Sequence, residues 1–465
     1  MNTEYDFLVI GGGPGGTPVA MALARAGRSV LLVENGPGLG GTCLFEGCIP
    51  SKILRESARR LREIREAARF GLCLPSLDSR IDWYAIQQRK RHILKQRSEA
   101  AIARAGALPK LELVFGHAAF RDARRALVTP GEGEPAEIGF GRAVIATGSA
   151  PTRPPIPGVD HHRVIDSETL LDIDHIPERL IVIGGGPIGV ELGQIFHTFG
   201  SQVTLLEAAP RILGPVDAEL AGRLEARMRD DGIELFTGCR VERIDNTGGG
   251  VFVSYQDADG QAWHRFSEQV LLVTGRHPRV EGLGLEHTGV RHGPHGIEVD
   301  EHLQTSEPGL YALGDVVGAP AFAHWAGAQA LSLARHLLGR PAAFPRPRYN
   351  SAVIFSEPEL GIAGLTESQA REAGIDYAVA RYDFTGDARA QIAGRADGLL
   401  KILYEQGSHR VIGVHALVEG ADDLIGEAAL AIHAGVTLEA LASSIHPHPT
   451  LTESFAQAAR AALAG

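Results

Sequence analysis

The stretch YDFLVIGGGPGGTPVAMALARAGRSVLLVE, residues 5–34, decides how this chain folds. An apolar run from Phe7 to Ile10 meets Gly11, Gly13 and Gly16 in GxGxxG spacing. A helical segment follows, then a second apolar run that ends on Glu34. The pattern predicts a strand–helix–strand unit with a dinucleotide fingerprint. Its glycines permit a tight turn and close approach of backbone to a pyrophosphate, whose charge the helix N-terminus favours. Glu34 stands where a carboxylate can accept from ribose hydroxyls.

A lone fingerprint of this kind is weak, but here it recurs. Residues 178–207, ERLIVIGGGPIGVELGQIFHTFGSQVTLLE, repeat the strand, Gly184, Gly186, Gly189, the helix, the second strand and Glu207. The interval from first glycine to carboxylate is the same, 11 to 34 and 184 to 207. Two matched units predict two bound dinucleotides. A carboxylate at Glu207 repels a 2′-phosphate, so the second unit favours NAD over NADP, although Arg211 lies nearby in sequence.

The rest of the chain bounds what these units can serve. Its 465 residues exceed one ordinary core and suggest two to four domains. A formal net charge of −11 lacks the basic footprint that nucleic acid requires. The arginine-rich run from Arg55 has apolar positions Leu54, Ala58, Leu61, Ile64 and Ala68 at helical spacing, and reads as an amphipathic helix with a solvated face. No signal peptide and no membrane-spanning run is read from the sequence. Four cysteines do not make a secreted disulfide scaffold, so the expected location is cytoplasmic.

Two of those cysteines fall in GGTCLFEGCIPSK, residues 40–52. Cys43 and Cys48 are too far apart in a regular helix to bridge, and can do so only across a distorted turn, which Gly47 permits. CIPSK reads as a helix start with Pro50 in its first turn, which would put Cys48 where a thiolate is stabilised, with Lys52 one turn on. Two unrelated buried cysteines, or a zinc site, are the competing readings, and CxxxxC is not a usual zinc spacing. Cys73 and Cys239 read as core residues. Near the other end, SSIHPHPTLTESF (443–455) holds His446, His448 and Glu453. A histidine with a glutamate five residues on suggests an oriented acid–base pair. No carboxylate or cysteine cluster accompanies the HxH, so no metal is expected.

Taken together, these stretches resemble the flavin-dependent pyridine nucleotide–disulfide oxidoreductases, and within them the dihydrolipoamide dehydrogenases most closely. GGTCLFEGCIPSK is similar to that family's redox-disulfide motif and HPHPTLTE to its C-terminal signature. VIATGSAP (144–151), VTGRHPRV (273–280) and LYALGDVVG (310–318) lie between them in family order. The resemblance covers essentially the whole chain. It implies an α/β fold with two Rossmann-like dinucleotide-binding domains and a C-terminal α+β dimerisation domain. The expected boundaries are 1–149 for FAD, with the disulfide and a helical hairpin, 150–275 for NAD, 276–345 for a central domain completing the FAD site, and 346–465 for the interface domain.

The resemblance also assigns residues. FAD falls to the first unit, with Thr42, Thr147, Gly148 and Asp315, and NAD to the second, with Gly275. Cys43 would exchange with substrate and Cys48 would face the flavin, beside a Lys52–Glu191 pair. His448 and Glu453 would reach the disulfide of the other subunit, so an obligate homodimer is implied. The implied reaction oxidises a protein-bound dihydrolipoamide and reduces NAD. The lipoyl-bearing partner would belong to a 2-oxo-acid dehydrogenase or glycine-cleavage complex, or be a free-standing carrier. Where the family commonly has Asn-Val between the cysteines, this chain has Phe45 and Glu46, a ring and a carboxylate expected beside the disulfide. The rivals are a glutathione reductase-like enzyme, a soluble transhydrogenase, and a non-catalytic flavin-bound scaffold.

Overall fold

Strand Glu4–Ile10 pairs in parallel with Val30–Glu34 on one side and Ala136–Ile145 on the other, in register Phe7↔Val30 and Val9↔Val144. Leu111–Phe120 and Leu310–Ala312 extend this parallel layer at its two sides. Successive side chains of a strand face opposite ways, and here both faces are buried. Leu8, Ile10, Leu31, Val33 and Ile145 pack with Phe120 and Phe140. Phe7, Val9, Val30, Leu32 and Val144 pack against Val19 and Leu23 of helix Gly16–Arg25. That double burial explains why the first strands read as unbroken apolar runs. The long strands 111–120 and 136–145 also leave the parallel layer and join Arg125–Pro130 in an antiparallel meander.

The computed structural model describes residues 1–73 and 80–464. Its chain divides into two units, each assembled from separate segments. One comprises Met1–Arg153, Asp166–His175 and Gly275–Pro345, and the other Pro154–Ile165, Ile176–Thr274 and Arg346–Gly465. In the first, helix Trp83–Gly106 explains why the short segment 166–175 returns. Trp83 Nε1 donates to the Ile173 carbonyl at 2.9 Å, and the buried Lys90 donates to Leu171 and lies 2.6 Å from Asp172.

The second unit repeats the parallel design. Strands Glu234–Phe236, Gln202–Leu206, Arg179–Ile183, Gln269–Leu272 and Val164–Ile165 lie side by side in that order. A three-stranded antiparallel sheet (Arg240–Asn246, Val251–Gln256, Ala262–Ser267) accompanies it. The C-terminal part is a five-stranded antiparallel sheet, whose Leu400, Ile402, Val414 and Ala416 pack on helices Ala421–Ala434 and Glu453–Ala464. The architecture is the α/β fold expected, with two dinucleotide-type units and a C-terminal α+β layer. The arginine-rich helix is amphipathic as read, with Leu54, Ala58 and Leu61 buried, but its stripe ends early: Ile64 and Ala68 are exposed.

One buried charge cluster fastens the second unit. Lys401, 2 % exposed, donates to Asp217 at 2.8 Å and to Glu367 at 2.5 Å, with Glu219 at 3.1 Å. Burial pushes the Asp217 carboxyl up, but the Lys401 ammonium more than offsets this and holds it below the usual range. Breaking such a pair strands a buried charge, so Lys401→Met should cost about 3–5 kcal/mol of unfolding free energy. Denaturant melts of this variant, against Asp217→Asn, check it. Because the native Asp217 pKa is depressed, its contribution is present above about pH 4 and is lost as pH falls through the native value.

Candidate active site

The two fingerprint turns are built alike, atom for atom. Gly11 has φ +103° and Gly184 φ +118°, where other residues are strained, and a Cβ on either would strike the backbone of Ala146 or Val273. A Cβ on Gly16 would overlap the Gly11 carbonyl oxygen, and one on Gly189 the Gly184 carbonyl oxygen. Each acidic residue closes its own turn. Glu34, 6 % exposed, accepts from the N–H groups of Gly12 and Gly36, both at 2.5 Å. Glu207 accepts from Gly185 at 2.5 Å and Ala209 at 2.6 Å. Arg211 spends its guanidinium on the carbonyls of Leu213 and Gly214. Gly13 and Gly186 leave backbone open for close approach, the latter as N-cap of helix Pro187–Phe199.

Both turns thus have the glycine-only close contacts and open helix N-terminus that a dinucleotide pyrophosphate needs. Gly16→Val should force the first turn open at the Gly11 carbonyl, and the purified protein should then lack the yellow flavin absorbance of the parent while circular dichroism still reports helix and sheet.

Around the first turn, residues from distant segments converge. Thr147 Oγ1 donates to the Arg279 carbonyl at 2.7 Å, and Gly148 follows at φ +74°. Ser149 Oγ donates to Asp315 Oδ2 at 2.7 Å, and Arg276 clasps Ser149 through Oγ and the carbonyl, each at 2.8 Å. Gly275 accepts from the Thr152 N–H at 3.0 Å, and Gln329 accepts from the Gly314 N–H at 2.8 Å. Ser149 lies within VIATGSAP and Arg276 and Arg279 within VTGRHPRV, but no local pattern singles them out, because their importance lies in long-range partners; Gln329, on helix Ala323–Leu337, carries no local signal.

The cysteines sit at a break between two helices. Helix Gly41–Phe45 stops at Glu46, and helix Cys48–Glu66 begins on Cys48 itself, with Pro50 in its first turn. Ser51 Oγ donates to the Gly47 carbonyl at 2.7 Å. The Gly41 Cα lies against Gly13, so the cysteine segment starts on the fingerprint turn. Cys43 is half-buried and Cys48 exposed. Cys43 hydrogen-bonds Cys48, which, with burial, pushes its thiol pKa well up, while Lys52 and Arg97 pull it down. Phe45 packs with Leu44, Ile49, Ile53, Ile93 and Leu94. Glu46 accepts from Thr42 Oγ1 at 3.3 Å and lies 3.9 Å from Arg279. Cys239 is buried as read, but Cys73 is exposed, not a core residue. Among the described residues no group of three His, Cys, Asp or Glu is placed to hold a metal.

In the second unit, Glu191 lies on helix Pro187–Phe199, 8 % exposed, and accepts from the Phe355 N–H at 2.9 Å. The loop before helix Glu453–Ala464 carries two imidazole–carboxylate pairs. His448 Nδ1 lies 3.1 Å from both oxygens of Glu453, and His446 Nε2 lies 2.9 Å from Glu427. The Thr450 N–H and then His448 hold the Glu453 carboxyl below the usual carboxylate range. His448 is 72 % exposed, and Ile445 of the same loop is 98 % exposed.

Two family models match the chain: pyridine nucleotide-disulphide oxidoreductase over residues 5–330, and the dimerisation domain of that family over 350–459. The chain is 36% identical to the dihydrolipoyl dehydrogenase of Geobacillus stearothermophilus, over 99% of this chain and 96% of the relative. It is 38% identical to that of Thermus scotoductus, over 98% and 97%. Among solved structures, the HOCl-induced flavoprotein disulfide reductase RclA of Escherichia coli, as its Cu(II) complex, aligns with TM-score 0.88 at 29% identity, over 99% of this chain and all of that one. LpdA of Mycobacterium tuberculosis aligns with TM-score 0.89 at 27% identity, over the same shares. No helix among the described residues is long and apolar enough to cross a membrane.

Proposed function

Because the chain belongs to the pyridine nucleotide–disulphide oxidoreductases, we propose that it is a dihydrolipoyl dehydrogenase, oxidising a protein-bound dihydrolipoamide through Cys43 and Cys48 and reducing NAD. The observation that carries this is the cysteine pair itself, with Cys43 half-buried, Cys48 opening a helix, and both following directly from the fingerprint turn. The relatives of that name, 36% and 38% identical over nearly the full length, support the substrate.

In this reading His448, oriented by Glu453, takes a proton from one substrate thiol. Starting from the oxidised pair, joined as a disulfide, the thiolate attacks Cys43 Sγ, a substrate–Cys43 bond forms, and the Cys43–Cys48 bond breaks. The second substrate thiolate then displaces Cys43, so the substrate leaves as a disulfide and the protein pair holds its two electrons. The helix N-terminus at Cys48 favours the released thiolate there. Bound FAD would supply the two-electron relay between this pair and NAD. Gly11, Gly13, Gly16, Glu34, Thr42, Thr147, Gly148 and Asp315 would hold FAD, and Gly184, Gly186, Gly189, Glu207 and Gly275 would hold NAD. Lys52 and Glu191 are assigned to the flavin's surroundings. The four-part division at residues 149, 275 and 345 belongs to the same proposal, as does a cytoplasmic location.

The second subunit is part of it too. The family's dimerisation domain and the exposed Ile445 and Leu430 (67 % exposed) support a homodimer in which the His448 loop meets the partner's cysteines. A second reading, a reductase of another disulfide, is favoured by the likeness to RclA. Steady-state oxidation of free dihydrolipoamide separates the two. Brisk turnover with NAD, and at least about tenfold lower kcat/KM with NADP owing to Glu207, is expected. A protein that carries FAD but ignores dihydrolipoamide would reject the first reading.

A further inference from the structure

The two helices that follow the cysteine turn are strongly basic on an acidic protein. Cys48–Glu66 and Trp83–Gly106 carry twelve of the chain's 45 Lys and Arg residues against four Glu, while the whole chain has a formal charge of −11. On the first helix, Arg59 and Arg60 answer Glu56 and Glu63 locally. On the second, the balance fails. Lys90 is buried on Asp172, and Lys95 reaches Glu99 at 3.7 Å. Arg89, Arg91, Arg97 and Arg104 are exposed and, among the described residues, meet no carboxylate.

Arg97 connects this surface to the chemistry. Its neighbours Ile93 and Leu94 pack with Leu44, Phe45, Ile49 and Ile53, the residues interleaved with the two cysteines. On its other side Ser98 lies against Gly38. The turn that displays Arg97 is therefore seated on the cysteine segment, and its charge is felt by Cys43. Arg89 and Arg104 continue the exposed positive charge along the helix, about two turns away in each direction.

We propose that this basic surface docks an acidic carrier, a protein segment rich in Asp and Glu that presents its dithiol to Cys43. The inference rests on the dithiol reading above and adds to it the charge of the partner. A compact segment suits the patch better than a nucleic acid. At physiological ionic strength charges act over only about 8 Å, so an extended polyanion would soon run onto the acidic remainder of the surface.

The test uses the FAD-loaded full-length protein and two synthetic peptides, each with one lipoyl-lysine, flanked either by pairs of glutamates or by pairs of lysines. Binding of the oxidised peptides is read by fluorescence anisotropy and oxidation of the reduced ones by NADH formation, beside free dihydrolipoamide. At about 20 mM salt the acidic peptide should bind and react at least roughly tenfold better, and at about 0.5 M salt the difference should shrink to within about twofold. Arg89→Glu with Arg104→Glu should erase most of the preference, whereas the Arg→Lys pair should keep it. Equal binding of both peptides at low salt overturns the proposal, as does tighter binding of a short DNA duplex than of the acidic peptide. A binding preference without turnover of free dihydrolipoamide upholds the docking surface and rejects the dithiol reading instead.

Discussion

Cys48→Ser should abolish dithiol oxidation, lowering kcat by at least about 10⁴-fold. A serine oxygen cannot form the bond to Cys43 that the incoming thiolate must break, so no electrons enter the protein. Flavin content should be unchanged, because the fingerprint turn is complete without the sulfur. The transfer of electrons from NADH to a dye should persist, since it bypasses the pair. The check is NADH formation from dihydrolipoamide, with dye reduction measured on the same preparation. Dithiol turnover within about tenfold of the parent would remove Cys48 from the redox role.

His448→Gln carries the second large effect, about 10²–10⁴-fold on the dithiol half-reaction. Glutamine keeps a hydrogen-bonding group near Glu453 but cannot take up the thiol proton. The Glu453 carboxyl is held below its usual range by the Thr450 N–H and by His448, so it stays ionised through the neutral range. Any loss of rate as pH falls from 8 to 6 therefore reports a group other than Glu453, and Glu453→Gln should lower the rate less than His448→Gln does. NADH-to-dye transfer should be spared in both variants. Its loss together with the dithiol reaction would mean the loop supports the fold rather than the proton transfer.

Much of this architecture could be read from local pattern. The two strand–helix–strand units were legible because glycine spacing, apolar runs and terminal carboxylates are short-range features, and the structure returns both with matching hydrogen bonds at Glu34 and Glu207. The helix start at Cys48 was legible from Gly47 and Pro50 for the same reason. What stayed hidden depends on partners far along the chain. Nothing local says that Lys401 will be buried among Asp217, Glu219 and Glu367, or that Arg276 will clasp Ser149. The partners of Phe45 and Glu46 were hidden for the same reason: the ring packs with Ile93 and Leu94 of the later helix Trp83–Gly106, and the carboxylate lies 3.9 Å from Arg279. Cys73 was misread because nothing local distinguishes it from the buried Cys239; it is exposed, two residues past Gly71, which caps the preceding helical turn.

The doubly engaged carboxylate of Glu207 bears on how such an enzyme can change over evolutionary time. Both of its oxygens already hold backbone N–H groups of the second fingerprint turn, the one proposed above to receive NAD. Exchanging it for a residue that welcomes a 2′-phosphate would release those two donors along with the selectivity. A lineage drifting toward the phosphorylated cofactor must therefore first acquire another acceptor for Gly185 and Ala209. In the reading proposed above, cofactor choice is tied to the loop, and a substitution at Glu207 that reverses it also removes the acceptor of two backbone N–H groups.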